Sequence, residues 1–176
     1  MRLFVAVWPS EDVVAAIEAF DRPTLEGMRW TRSDQWHVTL RFLGSVTDDE
    51  VPALRSALGA VAASVAPREV TVGPVTGCFG RSILFVPASG LDDLAAATVT
   101  ARAAMGEAPD ERSFTGHFTL ARSGGRSRRS RGPDLRGFAG RPLACSWLAD
   151  ELTLVRSRTD RTGATYEVLA RWPFAG

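Results

Sequence analysis

The sequence predicts an α+β fold of two similar lobes, each an antiparallel sheet with helices outside, set around a central cleft. Three observations lead there. The frame His-x-Thr-Leu occurs twice, as His37-Val38-Thr39-Leu40 and His117-Phe118-Thr119-Leu120, and the chain has only 2 histidines. A similar apolar run precedes each copy, Leu3-Phe4-Val5 and Leu84-Phe85-Val86, so that Phe4 to His37 spans 33 residues and Phe85 to His117 spans 32. Between run and motif, each time, lies a stretch of helical periodicity. The order strand, helix, motif strand, helix, strand thus repeats. We read one bilobal domain over residues 1–176, each lobe giving one His-x-Thr strand (36–43 and 114–122) to a shared cleft. Outside the motifs the halves share little, so the duplication rests on order and spacing.

The elements follow in order. Arg2–Trp8 is a first strand. Ser10 offers an N-cap, Glu11 and Asp12 suit the positive end of a helix, and Val13, Val14, Ile17 and Phe20 form its apolar stripe. A loop through Pro23 and Gly27 leads to Met28-Arg29-Trp30 and then to the first motif strand, which Gly44 closes. A helix opens near Thr47–Glu50, with Pro52 in its first turn and Val51, Leu54, Leu58, Val61 and Val65 on its buried face. Val70–Phe79 returns as a strand, with Gly73-Pro74 marking an edge or bulge. Ser82–Val86 restarts the pattern; Leu91, Leu94, Thr98 and Met105 mark a helix before the second motif strand. A loop, Ser123–Gly132, a helical turn at Asp134–Phe138 and two long strands, Ala144–Arg156 and Ala164–Trp172, complete the chain.

Composition narrows the function classes. With 176 residues and 45% hydrophobic content the chain can bury a sizeable core, and no apolar run approaches the roughly 18 residues that cross a bilayer. The N-terminal run meets Pro9 and acids at once, so it reads as a strand and not as a signal peptide. Cys78 and Cys145 suit neither a disulfide framework nor a zinc site, which fits a reducing cytoplasm. Net charge is +1, and all 21 basic residues are arginine, which excludes a P-loop lysine or a Schiff-base lysine.

On a strand, side chains alternate faces, so His37 and Thr39 share one face with Arg41, while Val38 and Leu40 share the other. His117 and Thr119 likewise oppose Phe118 and Leu120. Trp36 and Phe42 alternate onto the core face and are read as packing, as is Trp30. Phe79, at a strand end between glycines, is a base-stacking candidate. Arg122 falls opposite His117 by strict alternation, although a strand end or bulge can re-aim it. Arg126, Arg128, Arg129 and Arg131, among Gly and Ser, form a basic loop that suits an RNA-backbone clamp or a solubilising segment.

At MRLFVAVWP, RWTRSDQWHVTLRFLG, FTGHFTLAR and RTGATYEVLARWPF the chain resembles the two-histidine phosphoesterases, and most of all the RNA 2′,3′-cyclic phosphodiesterases, also called 2′-5′ RNA ligases. The resemblance covers essentially the full length; it departs at Gly116, where members often carry Pro. It implies that His37 is the proton donor and His117 the proton acceptor, that Thr39 and Thr119 hold phosphoryl oxygens, and that Arg122 is a candidate phosphate contact, its other reading being a solvated strand-end cation; Arg41 is a comparable phosphate candidate from strand alternation alone. The residues themselves leave the acid and base unassigned. Two imidazoles can activate water and protonate a departing ribose oxygen without metal or cofactor. The expected partner is RNA with a 2′,3′-cyclic phosphate end, and the expected enzyme is a cytoplasmic monomer that leaves a 2′-phosphate. A phosphodiesterase for a small cyclic phosphate, or a non-catalytic RNA-end-binding module, would use the same residues.

Overall fold

Every residue from Leu3 to Val7 is buried, on both faces of the strand they form. A strand apolar on both sides needs cover on both sides. The computed structural model, which describes residues 1–103, 113–124, 132–160 and 163–176, supplies it. Its order is β1 (Arg2–Val7), α1 (Glu11–Glu18), β2 (Met28–Trp30), a 3₁₀ turn (Ser33–Gln35), β3 (Val38–Ser45), α2 (Val51–Ala63), β4 (Arg68–Val72), β5 (Gly77–Phe79), β6 (Ile83–Ser89), α3 (Asp92–Ala103), β7 (His117–Ser123), a second 3₁₀ turn (Leu135–Phe138), β8 (Cys145–Ala149), β9 (Glu151–Asp160) and β10 (Gly163–Pro173).

The strands make two antiparallel sheets, one in the order β10-β9-β1-β3 and one in the order β2-β7-β6-β4-β8, with β5 beside β6. Neither sheet belongs to one half of the chain. β9 and β10 complete the sheet of β1 and β3, while β2 and β4 complete that of β6 and β7. The helices cross over as well: α3 packs on β3, α2 on β9 and β10, and α1 on β8. A single buried cluster therefore runs through both sheets, from Leu3 and Val38 to Val86 and Phe118. Leu54 and Leu58 of α2 are wholly buried in it, each contributing roughly 2 kcal/mol. This shared core fixes the two motif strands relative to one another.

Local signals act as expected at the helix starts. The Ser10 hydroxyl accepts from the Val13 N–H at 3.5 Å, and Val13 and Ile17 point inward. Glu50 accepts from the backbone N–H and the hydroxyl of Thr47 at 2.7 and 2.6 Å before α2 begins. The strand boundaries need correction. The run Val70–Phe79 is two strands, β4 and β5, because Gly73 turns the chain at φ 99° and Pro74 has no N–H for a ladder. The run Ala144–Arg156 is also two, β8 and β9, which pair in different sheets on either side of Asp150. β3 starts at Val38 and not at Trp36, because the 3₁₀ turn holds the Trp36 N–H on the Ser33 carbonyl. β7 starts at His117 and not at Phe114. Met105 lies outside the described residues.

Candidate active site

Both motif strands carry a β-bulge at the leucine of the motif. β1 pairs Ala6 with Thr39 and Val5 with Arg41, leaving Leu40 over. β6 pairs Phe85 with Thr119 and Leu84 with Ala121, leaving Leu120 over. The ladders thus set Ala6, and not Phe4, in the place that Phe85 takes in the second copy, two residues from the match that the sequence intervals give. A bulge shifts the alternation by one. In β7, Leu120 and Ala121 both turn to the core and Arg122 turns to the cleft with His117 and Thr119. Strict alternation would have placed it opposite; the bulge reverses that.

In β3 the same step, followed by a second register shift at Leu43, brings Phe42 outward. The expectation that Phe42 packs in the core is wrong. It is 63% exposed and lines the cleft, its ring 6.2 Å from that of Phe4. Phe42 stands five residues after His37, as Arg122 stands five after His117. Trp36, by contrast, is buried as expected.

His37, Thr39, Arg41, His117, Thr119 and Arg122 all line one cleft of about 970 Å³ between the sheets. Each imidazole is anchored in the same way. Nδ1 of His37 meets the Gln35 carbonyl at 2.8 Å, and Nδ1 of His117 meets the Thr115 carbonyl at 2.7 Å. A carbonyl only accepts, so Nδ1 carries the proton of each neutral ring and Nε2 is left to gain or give one. Gly116 serves this placement. It is buried, its carbonyl accepts from the Ala88 N–H at 2.8 Å, and a Cβ added to it would lie 2.2 Å from the Ala88 oxygen. Glycine lets the backbones meet just ahead of His117.

Aromatic rings enclose both histidines. His37 packs against Phe4 at 4.8 Å, edge-on to Tyr166 at 4.8 Å and 81°, and against Trp8 at 5.4 Å. His117 meets Phe79 at 4.9 Å and Phe85 at 5.6 Å. Burial pushes the His37 pKa down to about 4; the Gln35 hydrogen bond opposes this, and the charges of His117 and Arg122 add to it. His117 is lowered in the same way, by burial first and by Arg122 after it. That each ring lies in the field of Arg122, and His37 in that of His117, follows from their convergence on one cleft. Burial raises the Tyr166 phenol.

The cleft is strongly basic although the chain is nearly neutral. Arg2, Arg29, Arg41 and Arg122 line it, and no Asp or Glu does among the described residues. Such a wall attracts anions and disfavours cations. Among the described residues no group of three or more His, Cys, Asp or Glu is placed to hold a metal ion. Phe79 stacks on Phe85 at 4.0 Å and 14° and touches His117 from outside the cleft lining. Trp30 is half-buried, lines the cleft and donates from Nε1 to the Pro23 carbonyl at 3.0 Å. Arg126, Arg128, Arg129 and Arg131 lie outside the described residues. Sequence reasoning missed Trp8, Arg29, Thr31 and Tyr166. The signal for Tyr166 was available, since it is the chain's only tyrosine and sits in a strand of alternating polarity.

Two imidazoles of one tautomer facing an arginine-lined cleft have the geometry to move protons at a bound anion. Residues 7–79 match the family model described as LigT-like phosphoesterase. An RNA 2′,3′-cyclic phosphodiesterase of Geobacillus stearothermophilus is 27% identical over 98% of this chain, and the chain spans 57% of that relative's length. The crystal structure of a Thermus thermophilus protein superposes with a TM-score of 0.81 at 27% identity, covering 100% of this chain and 99% of that one. Escherichia coli LigT, solved with 3′-AMP, shares the fold with a TM-score of 0.73 at 24% identity, covering 99% and 98%. The chain is thus similar, in sequence over its N-terminal part and in fold over its whole length, to the LigT-like phosphoesterases of the two-histidine superfamily. No helix among the described residues is long and apolar enough to cross a membrane.

Proposed function

We propose that the protein hydrolyses 2′,3′-cyclic phosphate ends of RNA to 2′-phosphates, by metal-independent acid–base catalysis between His37 and His117. The observation that carries this is the matched pair of Nδ1-anchored imidazoles in one cleft, walled by four arginines and no described carboxylate. The name of the Geobacillus relative supports the substrate class.

His117 Nε2 takes a proton from the water that attacks phosphorus, and His37 gives one to the departing 3′ oxygen. Thr39, Thr119 and Arg122 hold the non-bridging oxygens as charge builds on them, with Arg41 a further cation on the same wall. Phe42 offers a face to the base. Burial keeps His37 unprotonated in the empty cleft, and an anion beside it favours its charged form, so His37 becomes an acid as substrate binds. The same path run backwards joins a 2′-5′ linkage. Arg126, Arg128, Arg129 and Arg131 grip the RNA backbone.

The test is incubation with an RNA ending in 2′,3′-cyclic phosphate, in the presence of chelator, with identification of the product isomer. A 2′-phosphate supports the reading. A requirement for divalent metal, or a 3′-phosphate product, contradicts it. Turnover of small cyclic phosphates with none of RNA ends would move the substrate to that class, and binding without turnover would make the protein an RNA-end-binding module.

A further inference from the structure

The ladder between β2 and β7 sets Arg29 directly across from Arg122. Residues paired in this way carry their side chains on one face with Cβ atoms about 5 Å apart, and like charges so placed destabilise a sheet. Both arginines line the cleft. Arg29 also spans the gap between the sheets. A Cβ built on Gly163, at the start of β10, would lie 3.3 Å from both of its terminal nitrogens and 3.4 Å from its central carbon. The guanidinium thus lies against Gly163, and Thr159, which pairs with the next residue Ala164, lines the same cleft, as does the half-buried Ser157. A doubled positive charge in a cleft that also carries these hydroxyls fits an anion other than the one between the histidines.

We propose that Arg29, with Thr159, forms a second phosphate subsite for the internucleotide phosphate next to the reacting end, so that the cleft selects oligonucleotides over mononucleotides. The inference rests on the two-histidine reading for the identity of the first phosphate. Arg122 then holds the reacting group, and Arg29, one strand over, holds its neighbour along the chain. A nucleic acid carries one phosphate per nucleotide and a cyclic mononucleotide carries none beyond its own, so the adjacent cation discriminates between the two by length.

The experiment measures equilibrium binding of a nucleoside 2′-monophosphate and of a dinucleotide with the same terminal 2′-phosphate, to wild type, Arg29→Gln and Arg29→Lys. Turnover of the matching cyclic-ended pair is measured in parallel. Wild type should bind the dinucleotide about tenfold or more tightly than the mononucleotide. Arg29→Gln should remove most of that ratio and lower the salt slope of dinucleotide binding by about one, with Arg29→Lys keeping much of both. No length preference in wild type overturns the subsite. So does a loss shared equally by both ligands in Arg29→Gln, which would make Arg29 a tie between sheets only. A length preference that depends on Arg29, without turnover of either cyclic substrate, keeps the subsite and removes the catalytic reading.

Discussion

Trp36 Nε1 donates a 2.8 Å hydrogen bond to Thr31 Oγ1, and the Thr31 hydroxyl in turn reaches the carbonyls of Thr119 and Leu120 at 2.7 and 2.8 Å. The residue before the first histidine is thereby tied to the bulge of the second motif. Thr31→Val keeps the shape but leaves a buried indole N–H without its acceptor, at a cost of about 1–3 kcal/mol. Thermal unfolding should show that loss. Steady-state kinetics should show kcat lowered by about tenfold, because the two rings lose their fixed relation. An unchanged kcat alongside the lower Tm would confine Thr31 to stability.

Each histidine is expected to be indispensable alone. His37→Ala and His117→Ala should each lower turnover by about a hundredfold or more, with the circular dichroism spectrum retained. Near-normal activity in either variant would end the acid–base assignment.

The pH profile should lie on the acid side. One ring must hold a proton and the other none, and both give up protons below the ordinary histidine value, His37 near 4. kcat/KM reports the free enzyme, so its decline should already be under way as pH rises to the ordinary histidine value of about 6.5. Arg122→Gln removes a positive neighbour from both rings, which lets them hold protons longer. Its decline should move to higher pH while its maximum falls by about tenfold or more. A decline that does not move would show that Arg122 acts by contact and not by its field.

Stability should also follow His37. Its folded pKa lies below the unfolded value of about 6.5, so between pH 6.5 and 4 the unfolded chain binds a proton that the folded one refuses. The contribution is complete above pH 6.5 and is lost as pH falls towards 4, by up to about 3 kcal/mol. His37→Phe, which keeps a ring against Phe4 and Tyr166, should flatten that acid-side loss in denaturant titrations. Equal slopes in the two proteins would place the acid sensitivity elsewhere.

Gly116→Ala should be costly despite its size. The added carbon, 2.2 Å from the Ala88 oxygen, forces β6 and β7 apart just where His117 is set. A loss of about 2 kcal/mol or more is expected by chemical denaturation, with activity falling further than stability alone explains. Wild-type stability in this variant would show that the two backbones part freely.

Much of the site was legible because its parts are local in sequence. The repeated His-x-Thr frame places ring and hydroxyl on one strand face by period alone, and both sets do face the cleft. The cap at Ser10 and the turn at Asp134 follow from side chains that bond their own neighbours. Phe42 and Arg122 could not be placed in this way. Their direction depends on which residue of a neighbouring strand is left over, and a register shift is a property of two strands together.

By itself, the sequence determined the fold class and the shared strand face of each histidine and its threonine, because hydrophobic period and motif spacing are written residue by residue. Only the tertiary structure decided that the halves exchange strands and helices to share one core, and that two bulges turn Arg122 and Phe42 into the cleft. It also decided that Tyr166, far from either motif in the chain, packs on His37, and that Arg29 stands across a ladder from Arg122 in the same cleft. These are pairings between distant segments, fixed by how buried surfaces fit together, and no local stretch of chain encodes them.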